Sequence, residues 1–368
     1  MKRTIPSTLQ VGGANRGRRA PLGRISDISA SSILLFLFLS TPVLGQAPPS
    51  QVRTVRFIDF YGLRSVSEDQ VRSVLGINEG DTLPFPPPSG TELEKRLADI
   101  PGVARARLAL VCCEVDQLVL FVGIDETPGV RLKYHPQPQG EITVPPEVLG
   151  TYRDFLDAML EAVLSGDTAD DLSQGHSLMQ NPTVRALQER FLVYAEQYLE
   201  RLRRVLRNSG DKEQRAIAAW VIGYAQDKNA VVEDLLYAVL DANDGVRNDA
   251  VRALGAIAAL AEARPELRIE IRPDPFIDML NSLEWTDRNK ALMVLYTLTS
   301  SRDAEVLEEL RQRAFSSLVE MARWKSGYAR VAYLILGRVA GLSDGEIHET
   351  WENGEREQTV ARIIQGAT

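Results

Sequence analysis

After residue 147 the hydrophobic positions of the chain follow helical spacing, and one short pattern recurs among them. The pattern is Arg-x-x-Ala-x-x-x-Leu/Ile-Gly, and its copies begin at Arg215, Arg247, Arg288 and Ala329. Intervals of 32, 41 and 41 residues separate these starting positions. A recurring unit of this length predicts an array of helical hairpins, in which each unit buries its apolar face against its neighbours.

The arginines that open the copies are expected to be structural. Arg215, Arg247 and Arg288 each stand near the start of a predicted helix, and Asp241 and Asp287 lie in adjoining turns. We therefore expect an internal ladder of ion pairs, with a ligand site at the arginines as the alternative.

The copies also differ from one another. Tyr296 replaces the Gly of the third copy, and Ala329 replaces the Arg of the fourth. These departures predict a change of curvature at that point in the array, so any specific groove is expected near Leu283 to Tyr296.

The N-terminal part of the chain has a different pattern, because apolar and polar residues alternate there over short runs. Alternation predicts strands, whereas the spacing of Val71, Val74 and Leu75 predicts a helix after the N-cap residue Ser67. The predicted order is β-α-α-β-β, with strands at 52–60, 104–113 and 117–125 and helices at 68–75 and 91–98.

Four short motifs in this part resemble those of POTRA domains, the polypeptide-transport-associated modules of outer-membrane assembly proteins and two-partner secretion translocators. The similarity covers residues 52–127. The motifs are Gly62 after the first strand, the Gly80-Asp81 turn, the step Ile100-Pro101-Gly102-Val103, and Glu126-Thr127-Pro128 after the third strand.

The resemblance implies a periplasmic or outward-facing binding module, in which an extended peptide adds to the exposed edge of the sheet. The edge would be the strand at 104–113, and its candidate peptide-binding residues are Arg105, Arg107, Leu108 and Leu110. The apolar alternation is expected to face inward and the arginines outward. The alternative is an edge that binds nothing and is guarded by its charges.

The predicted fold class is α+β, a small POTRA-like domain followed by an all-α solenoid. Five prolines in residues 128–146 predict an extended, semi-rigid linker between the two parts. A helical pair at 147–210 would cap the array, and residues 211–364 resemble HEAT repeats or the related repeats of bilin lyases.

The first 45 residues have the features of a secretory signal. A basic stretch precedes the apolar run from Ile33 to Leu39, and the small residues Val43 and Gly45 follow it. Cleavage is expected after Gly45, with residues 46–51 as a spacer. The alternative is an uncleaved anchor, although the apolar run is shorter than the ~20 residues that span a bilayer. The predicted location is therefore periplasmic or secreted, without a stable membrane span after cleavage.

The net charge of the chain argues against one class of binding partner. The formal net charge of the 368 residues is -8, and without the first 45 residues 36 basic groups face 49 acidic groups. A chain this acidic is a poor electrostatic match for nucleic acid, so no nucleic-acid partner is predicted.

Candidate chemistry is sparse. Cys112 and Cys113 are adjacent, so a strand would point them to opposite faces, and a strained vicinal disulfide is the alternative. The three histidines, His135, His176 and His348, occur in no paired metal-ligand or catalytic spacing. We predict no metal, no cofactor and no enzymatic activity.

The favoured function is that of an exported, non-catalytic adaptor in the cell envelope. Its predicted partners are other envelope proteins or extended peptide segments. Two alternatives are a catalytic HEAT-like protein resembling the bilin lyases and an accessory subunit of an outer-membrane assembly or secretion machine.

Overall fold

The computed structural model describes residues 51–85, 90–114, 117–126 and 132–367. The predicted signal sequence lies outside these ranges, and so do the side chains of Cys112 and Cys113. Cleavage after Gly45 and the state of the two thiols therefore stay predictions.

The N-terminal part forms a four-stranded mixed sheet with the strand order β2-β1-β4-β3. The central strands β1 and β4 are parallel, and the two outer pairs are antiparallel. Two helices lie between the strands in sequence. The elements are β1 (Gln51–Tyr61), α1 (Glu68–Leu75), β2 (Thr82–Phe85), α2 (Thr91–Ala98), β3 (Val103–Glu114) and β4 (Gln117–Glu126).

Strand β2 corrects the predicted order, which placed a proline-rich loop at this point. After the turn the N–H of Gly80 donates to the Val55 oxygen, and the N–H of Val55 donates to the Asp81 oxygen. The chain then runs antiparallel to β1, and Pro84 is paired with Val52. A four-residue strand is too short to show a periodic pattern, and proline is tolerated at a sheet edge because its missing N–H would face solvent.

Helices α1 and α2 cover one face of the sheet and enclose a small core. Val71 and Leu97 are fully buried there against Val55, Ile58 and other strand residues. Helix α1 begins at the predicted residue because Ser67 and Gln70 form a reciprocal capping box.

The Glu126 carboxylate at the end of β4 holds the loop that follows β1. It accepts hydrogen bonds from the backbone N–H groups of Arg64 at 2.6 Å, Ser65 at 2.9 Å and Val66 at 3.0 Å. Burial alone would raise the pKa of Glu126, but these hydrogen bonds lower it to about 2. The glutamate of the Glu-Thr-Pro motif thus fixes the loop between β1 and α1.

We expect Glu126 to make the protein acid-sensitive. The pKa of about 2 in the folded protein lies below the ordinary 4.5, so ionised Glu126 stabilises the fold above pH 4.5. That stabilisation is lost as the pH falls from 4.5 to about 2. Urea unfolding of the wild type and Glu126→Gln should therefore differ most at neutral pH and converge on acidification. A difference independent of pH would contradict this role.

The rest of the chain is a stack of helices joined by short turns. Helices α5, α7, α9 and α11 begin close to the four copies of the repeated pattern and pack side by side. The helices are α3 (Pro146–Leu164), α4 (Pro182–Asn208), α5 (Lys212–Ile222), α6 (Val232–Ala238), α7 (Asp244–Ala263), α8 (Asp274–Met279), α9 (Trp285–Leu298), α10 (Ala304–Ala322), α11 (Ala329–Val339), α12 (Asp344–Glu352) and α13 (Arg356–Ala367), with a short hairpin of β5 (Asp170–Asp171) and β6 (Leu178–Met179) between α3 and α4.

Two of the repeat arginines make buried, bidentate ion pairs across successive units. Arg215 binds Asp241 at 2.7 and 2.9 Å, and Arg247 binds Asp287 at 2.9 and 2.8 Å. Each aspartate therefore pairs with the arginine of the preceding copy. Arg288 forms no such bidentate pair with a carboxylate of the described residues; its guanidinium lies 4.6 Å from the ring of Tyr61 in β1.

The second face of the sheet packs against the helical array. Phe121 of β4 lies 4.9 Å from the rings of both Trp285 and Trp324 and 5.4 Å from that of Tyr328. The Tyr61 ring of β1 is also buried at this interface, 6.1 Å from Trp324. These aromatic contacts continue the core of the array into the sheet.

Polar contacts fix the orientation of the two parts. The Trp324 indole donates to the Phe60 oxygen, and Asp59 accepts the backbone N–H groups of Lys325 and Ser326. The Gly62 N–H donates to Glu320 at 2.5 Å. These directional hydrogen bonds are buried or partly buried, so they favour one orientation of the sheet on the array.

Residues 132–145 form no helix, and they lie against the array between the two parts. Tyr134 lies under the Arg247 guanidinium at 4.1 Å, and the His135 N–H donates to the Leu240 oxygen. Further along, the Gly140 N–H donates to the Asn208 oxygen. The segment therefore runs along the array and covers its ion pairs. Sequence periodicity cannot reveal such contacts, because they join residues far apart in the chain.

Across residues 51–85, 90–114, 117–126 and 132–367, no helix has the length and apolar character needed to cross a bilayer.

Candidate functional site

A cavity of about 460 Å³ opens on one face of the helices α5, α7, α9 and α11, here called the cavity face. The same repeat positions line it in successive copies. Relative to the first residue of each copy, the lining residues follow two residues later (Asp249, Lys290, Val331), five later (Trp220, Arg252, Met293), eight later (Gly223, Gly255, Tyr296) and nine later (Tyr224, Ala256, Thr297, Arg338). This spacing places them on one side of each helix.

Charged groups are concentrated at the floor of the cavity. Asp249 and Arg252 come from α7, and Lys290 comes from α9. Asp249 accepts a hydrogen bond from Asn248 at 3.1 Å and lies 3.5 Å from the Tyr152 hydroxyl. The Arg252 guanidinium lies 4.2 Å from the Trp220 ring centre. The floor thus combines two cations and one carboxylate, and Glu262, Arg338 and Asp344 add further charges to the lining of the cavity.

Some buried polar groups of this cavity, among them two hydrogen-bond donors, have no partner within the described part of the chain. One is the Lys290 ammonium, whose residue is 2% exposed, and the other is the indole N–H of Trp220, whose residue is 6% exposed. A buried donor without an acceptor is costly, so such groups mark places where an acceptor is expected to bind.

Burial shifts the acid–base properties of the floor. It lowers the pKa of Lys290 well below its ordinary value, and the positive charge of Arg252 lowers it further, while Asp249 opposes the change. Burial also raises the pKa of Asp249 to about 6, against the influence of Arg252. Lys290 is therefore a weaker base than an exposed lysine, and Asp249 is a weaker acid than an exposed aspartate.

The turn between β5 and β6 forms one wall. Its His176 accepts a hydrogen bond from Lys228 at 3.1 Å, and Lys228 also donates to the Gly223 oxygen at 2.9 Å. Burial, together with the charge of Lys228, lowers the pKa of His176 to about 4. His176 is therefore neutral at physiological pH and positions this turn against the array.

The opposite wall contains Tyr296, which occupies the Gly position of the third copy. The Arg338 guanidinium lies 4.7 Å from its ring and donates to its backbone oxygen at 2.7 Å. Asp344 is 3.3 Å from the same guanidinium. Lys290, Met293 and Tyr296 all belong to the segment from Leu283 to Tyr296, where the sequence predicted a groove.

The predicted peptide-binding residues lie on β3, which forms one edge of the sheet. Arg105 and Arg107 are exposed, and both also form ion pairs. Arg107 does not face solvent alone, because it bridges to Glu284 of the array at 3.0 Å and approaches Glu94 at 3.6 Å. Arg105 binds Asp125 of β4 at 2.7 Å. The arginine face of β3 is therefore turned toward the array, which the alternation within the strand could not disclose.

One backbone donor on the free side of β3 is already engaged. The Leu108 N–H donates to the Glu94 carboxylate of α2 at 2.9 Å. Strand residues alternate in direction, so the Leu110 N–H points to the same free side as that of Leu108. The Leu108 and Leu110 side chains pack partly against the small core. Peptide binding at this edge stays a prediction.

The residues at the floor of the cavity were missed at the level of sequence. The recurring pattern is defined by the arginine that opens each copy, and the polar residues two positions later are not part of it. Ile217 occupies this position in the first copy, whereas Asp249 and Lys290 occupy it in the next two. A charged residue at a position that is apolar in a sister repeat was the available signal.

No protein-family model matches the chain, and a search of curated proteins gives no significant match. Seven chains of solved structures match it. One is a designed armadillo repeat protein, YIII(Dq)4CqI, with 16% sequence identity and a TM-score of 0.31. The match covers 53% of this chain and 97% of that protein. At this TM-score the likeness does not extend to function.

Proposed function

We propose that this chain is an exported, non-catalytic scaffold of the cell envelope. In this proposal the free edge of β3 binds an extended segment of one partner, and the cavity face binds a second ligand or partner. The POTRA-like character of the sheet and the export signal are inferred from sequence resemblance.

The observation that carries the proposal is the docking of the sheet onto the array. Phe121 packs among the aromatic side chains of the array, while Asp59 and Glu320 pair with backbone groups across the interface. A scaffold needs its binding surfaces in a fixed relation. The buried interface supports this, because its contacts join the sheet that carries the β3 edge to the array that carries the cavity face.

Site-specific photo-crosslinking in the native host tests the proposal. A photoreactive amino acid at Arg105 probes the β3 edge, one at Ser300 probes the cavity rim, and one at the exposed Glu189 of α4 serves as the control. We expect discrete adducts from the first two positions and none from the control. Intact mass of the purified protein should also show a mature N-terminus at Gln46.

A matched pair of substitutions addresses the edge itself. Leu110→Pro removes a free-side N–H without removing a β3–β4 hydrogen bond, and Leu110→Val keeps the donor. The adduct at position 105 should fall at least about five-fold for the first variant and stay unchanged for the second, since ladder hydrogen bonds would carry the affinity. Equal yields would reject binding by strand addition, and adducts absent from both probe positions would reject the scaffold.

A further inference from the structure

We propose that Lys290 is a covalent binding site for an aldehyde with an aromatic body, which it holds as an imine inside the cavity. This inference rests on the proposed function, because it names the ligand of the cavity face. It requires one aldehyde per chain and no turnover, so it is compatible with a non-catalytic scaffold.

The side chain of Lys290 ends at the cavity without a polar partner. The residue is 2% exposed, it lines the cavity from α9, and its Nζ has no hydrogen-bond partner within the described residues. In such surroundings an unpaired ammonium costs far more free energy than an unpaired neutral amine. Burial therefore lowers the pKa of Lys290 well below its ordinary value. The neutral amine carries the lone pair that adds to a carbonyl carbon.

Neighbouring charges act on this amine in both directions. Arg252 of α7 lowers the pKa of Lys290 further and Asp249 of α7 raises it, but burial is the largest influence. Asp170 of β5 acts in turn on Arg252. The other charged residues of the lining are Glu262, Arg338 and Asp344. Because carboxylates and guanidinium groups occur together, the cavity does not select an ion, and a neutral aldehyde matches it better.

Lys228, a second lysine beside the cavity, provides a contrast within the same protein. Its Nζ contacts His176 Nδ1 at 3.1 Å and donates to the Gly223 oxygen at 2.9 Å. Burial lowers its pKa to about 8. These two contacts hold the Lys228 nitrogen in the wall, whereas the Lys290 nitrogen is left for a ligand.

Imine formation at Lys290 needs no reactant other than the aldehyde. The Nζ lone pair adds to the carbonyl carbon, and the carbon–oxygen double bond opens. The oxygen then leaves as water with the two protons of the amine, so a carbon–nitrogen double bond remains. The dry, aromatic surroundings favour this product, because they disfavour the charged amine and limit access of the water that would reverse the step.

The lining of the cavity indicates the body of the ligand. Trp220, Tyr224 and Tyr296 present aromatic rings, while Val251 and Met293 provide aliphatic surface. The volume of about 460 Å³ is within the usual range of ~300–1,000 Å³ for small-ligand sites. Aromatic rings pack well against one another in offset or edge-to-face arrangements. A bicyclic aromatic aldehyde is therefore the expected class of ligand.

Reductive trapping of the full mature protein at pH 7 tests the proposal. The probe is one equivalent of 2-naphthaldehyde with cyanoborohydride, which reduces an imine to a stable secondary amine, and peptide mass mapping locates the product. An exposed lysine is neutral in only about one molecule in 2,500 at pH 7. We therefore expect at least about ten-fold more adduct at Lys290 than at the exposed Lys95 or at Lys228. An unlabelled Lys290, or labelling that follows exposure, would overturn the inference.

A second measurement compares pH 7 with pH 9. The neutral fraction of an exposed lysine rises about 100-fold over this range, whereas an amine with a lowered pKa gains less. The ratio of adduct at Lys290 to adduct at Lys95 should therefore fall by at least about five-fold. A constant ratio would contradict the neutral state of Lys290.

Variants assign the adduct to this side chain. Lys290→Met and Lys290→Arg both remove the primary amine, and total adduct measured by intact mass should fall at least about five-fold in each. Lys212→Met, an exposed change at the start of α5, is the matched control and should leave the adduct at Lys290 unchanged. If neither Lys290 variant folds, the wild-type maps at the two pH values decide alone.

Octanal tests the aromatic body. We expect at least about five-fold less adduct at Lys290 from octanal than from 2-naphthaldehyde, because an alkyl chain lacks the ring contacts. Equal labelling by the two aldehydes would contradict the aromatic preference. The proposed function is tested independently: adducts at Ser300 in the crosslinking experiment would still support the scaffold if Lys290 stays unlabelled.

Discussion

Replacing Asp287 by Ala is expected to lower the free energy of unfolding by about 3–5 kcal/mol, the cost of leaving one buried partner of an ion pair unpaired. Both oxygens of Asp287 bind the Arg247 guanidinium, and the aspartate also accepts from Ser282 at 2.6 Å and Tyr134 at 3.1 Å. Asp287 and Arg247 are each 1% exposed, so water cannot take over these contacts.

The measurement is urea unfolding followed by far-ultraviolet circular dichroism. The matched control is Glu357→Ala, which removes the carboxylate of an exposed pair with Arg323 and should cost less than about 1 kcal/mol. Adding Arg247→Met to Asp287→Ala should recover much of the loss, because an apolar pair no longer leaves a buried charge. A cost equal to that of the control would mean that the ladder contributes little.

The ladder also illustrates what the sequence could predict. The recurrence of Arg215, Arg247 and Arg288 at helix starts predicted a structural role, since an intact unit must repeat its internal contacts. The partner of each arginine was harder to assign. Asp287 is next to Arg288 in sequence, yet it pairs with Arg247 of the preceding copy. Pairing between units depends on how the helices stack, which a linear pattern does not contain.

The third copy departs from the pattern for a reason visible in the fold. Arg288 contacts the sheet through Tyr61, so the ladder ends where the small domain docks. Tyr296 fills the Gly position and becomes a wall of the cavity. The differences among the copies therefore indicate an irregular region from sequence alone. That Lys290 lines a cavity in this region is visible only in the folded structure.

Local sequence signals were sufficient to predict several elements of the small domain. Helix α1 spans Glu68–Leu75 because Ser67 caps it and Gly76 ends it with a positive φ of 66°. Strand β2 and the docking face were not predictable, because both depend on partners distant in sequence. Phe121 reads as one apolar residue of an alternating strand, and nothing local distinguishes it from Leu120.

The second large effect on stability is expected from a substitution of Phe121. Phe121→Ala should destabilise the protein by about 3–5 kcal/mol, because it removes a fully buried ring from between Trp285, Trp324 and Tyr328. The lost stability should weaken mainly the interface between the sheet and the array. The backbone N–H groups of Lys325 and Ser326, which donate to Asp59, are expected to exchange with deuterium faster in this variant.

Leu120→Ala is the matched comparison, because the adjacent side chain points into the core beneath α1 and α2. It should also destabilise the protein, by about 2–5 kcal/mol, but it should leave exchange at Lys325 and Ser326 near the wild-type rate under native conditions. Hydrogen exchange resolved by residue separates the two effects. If these amides exchange at the same rate in both variants, Phe121 does not couple the sheet to the array. The polar contacts alone would then hold the β3 edge and the cavity face in a fixed relation.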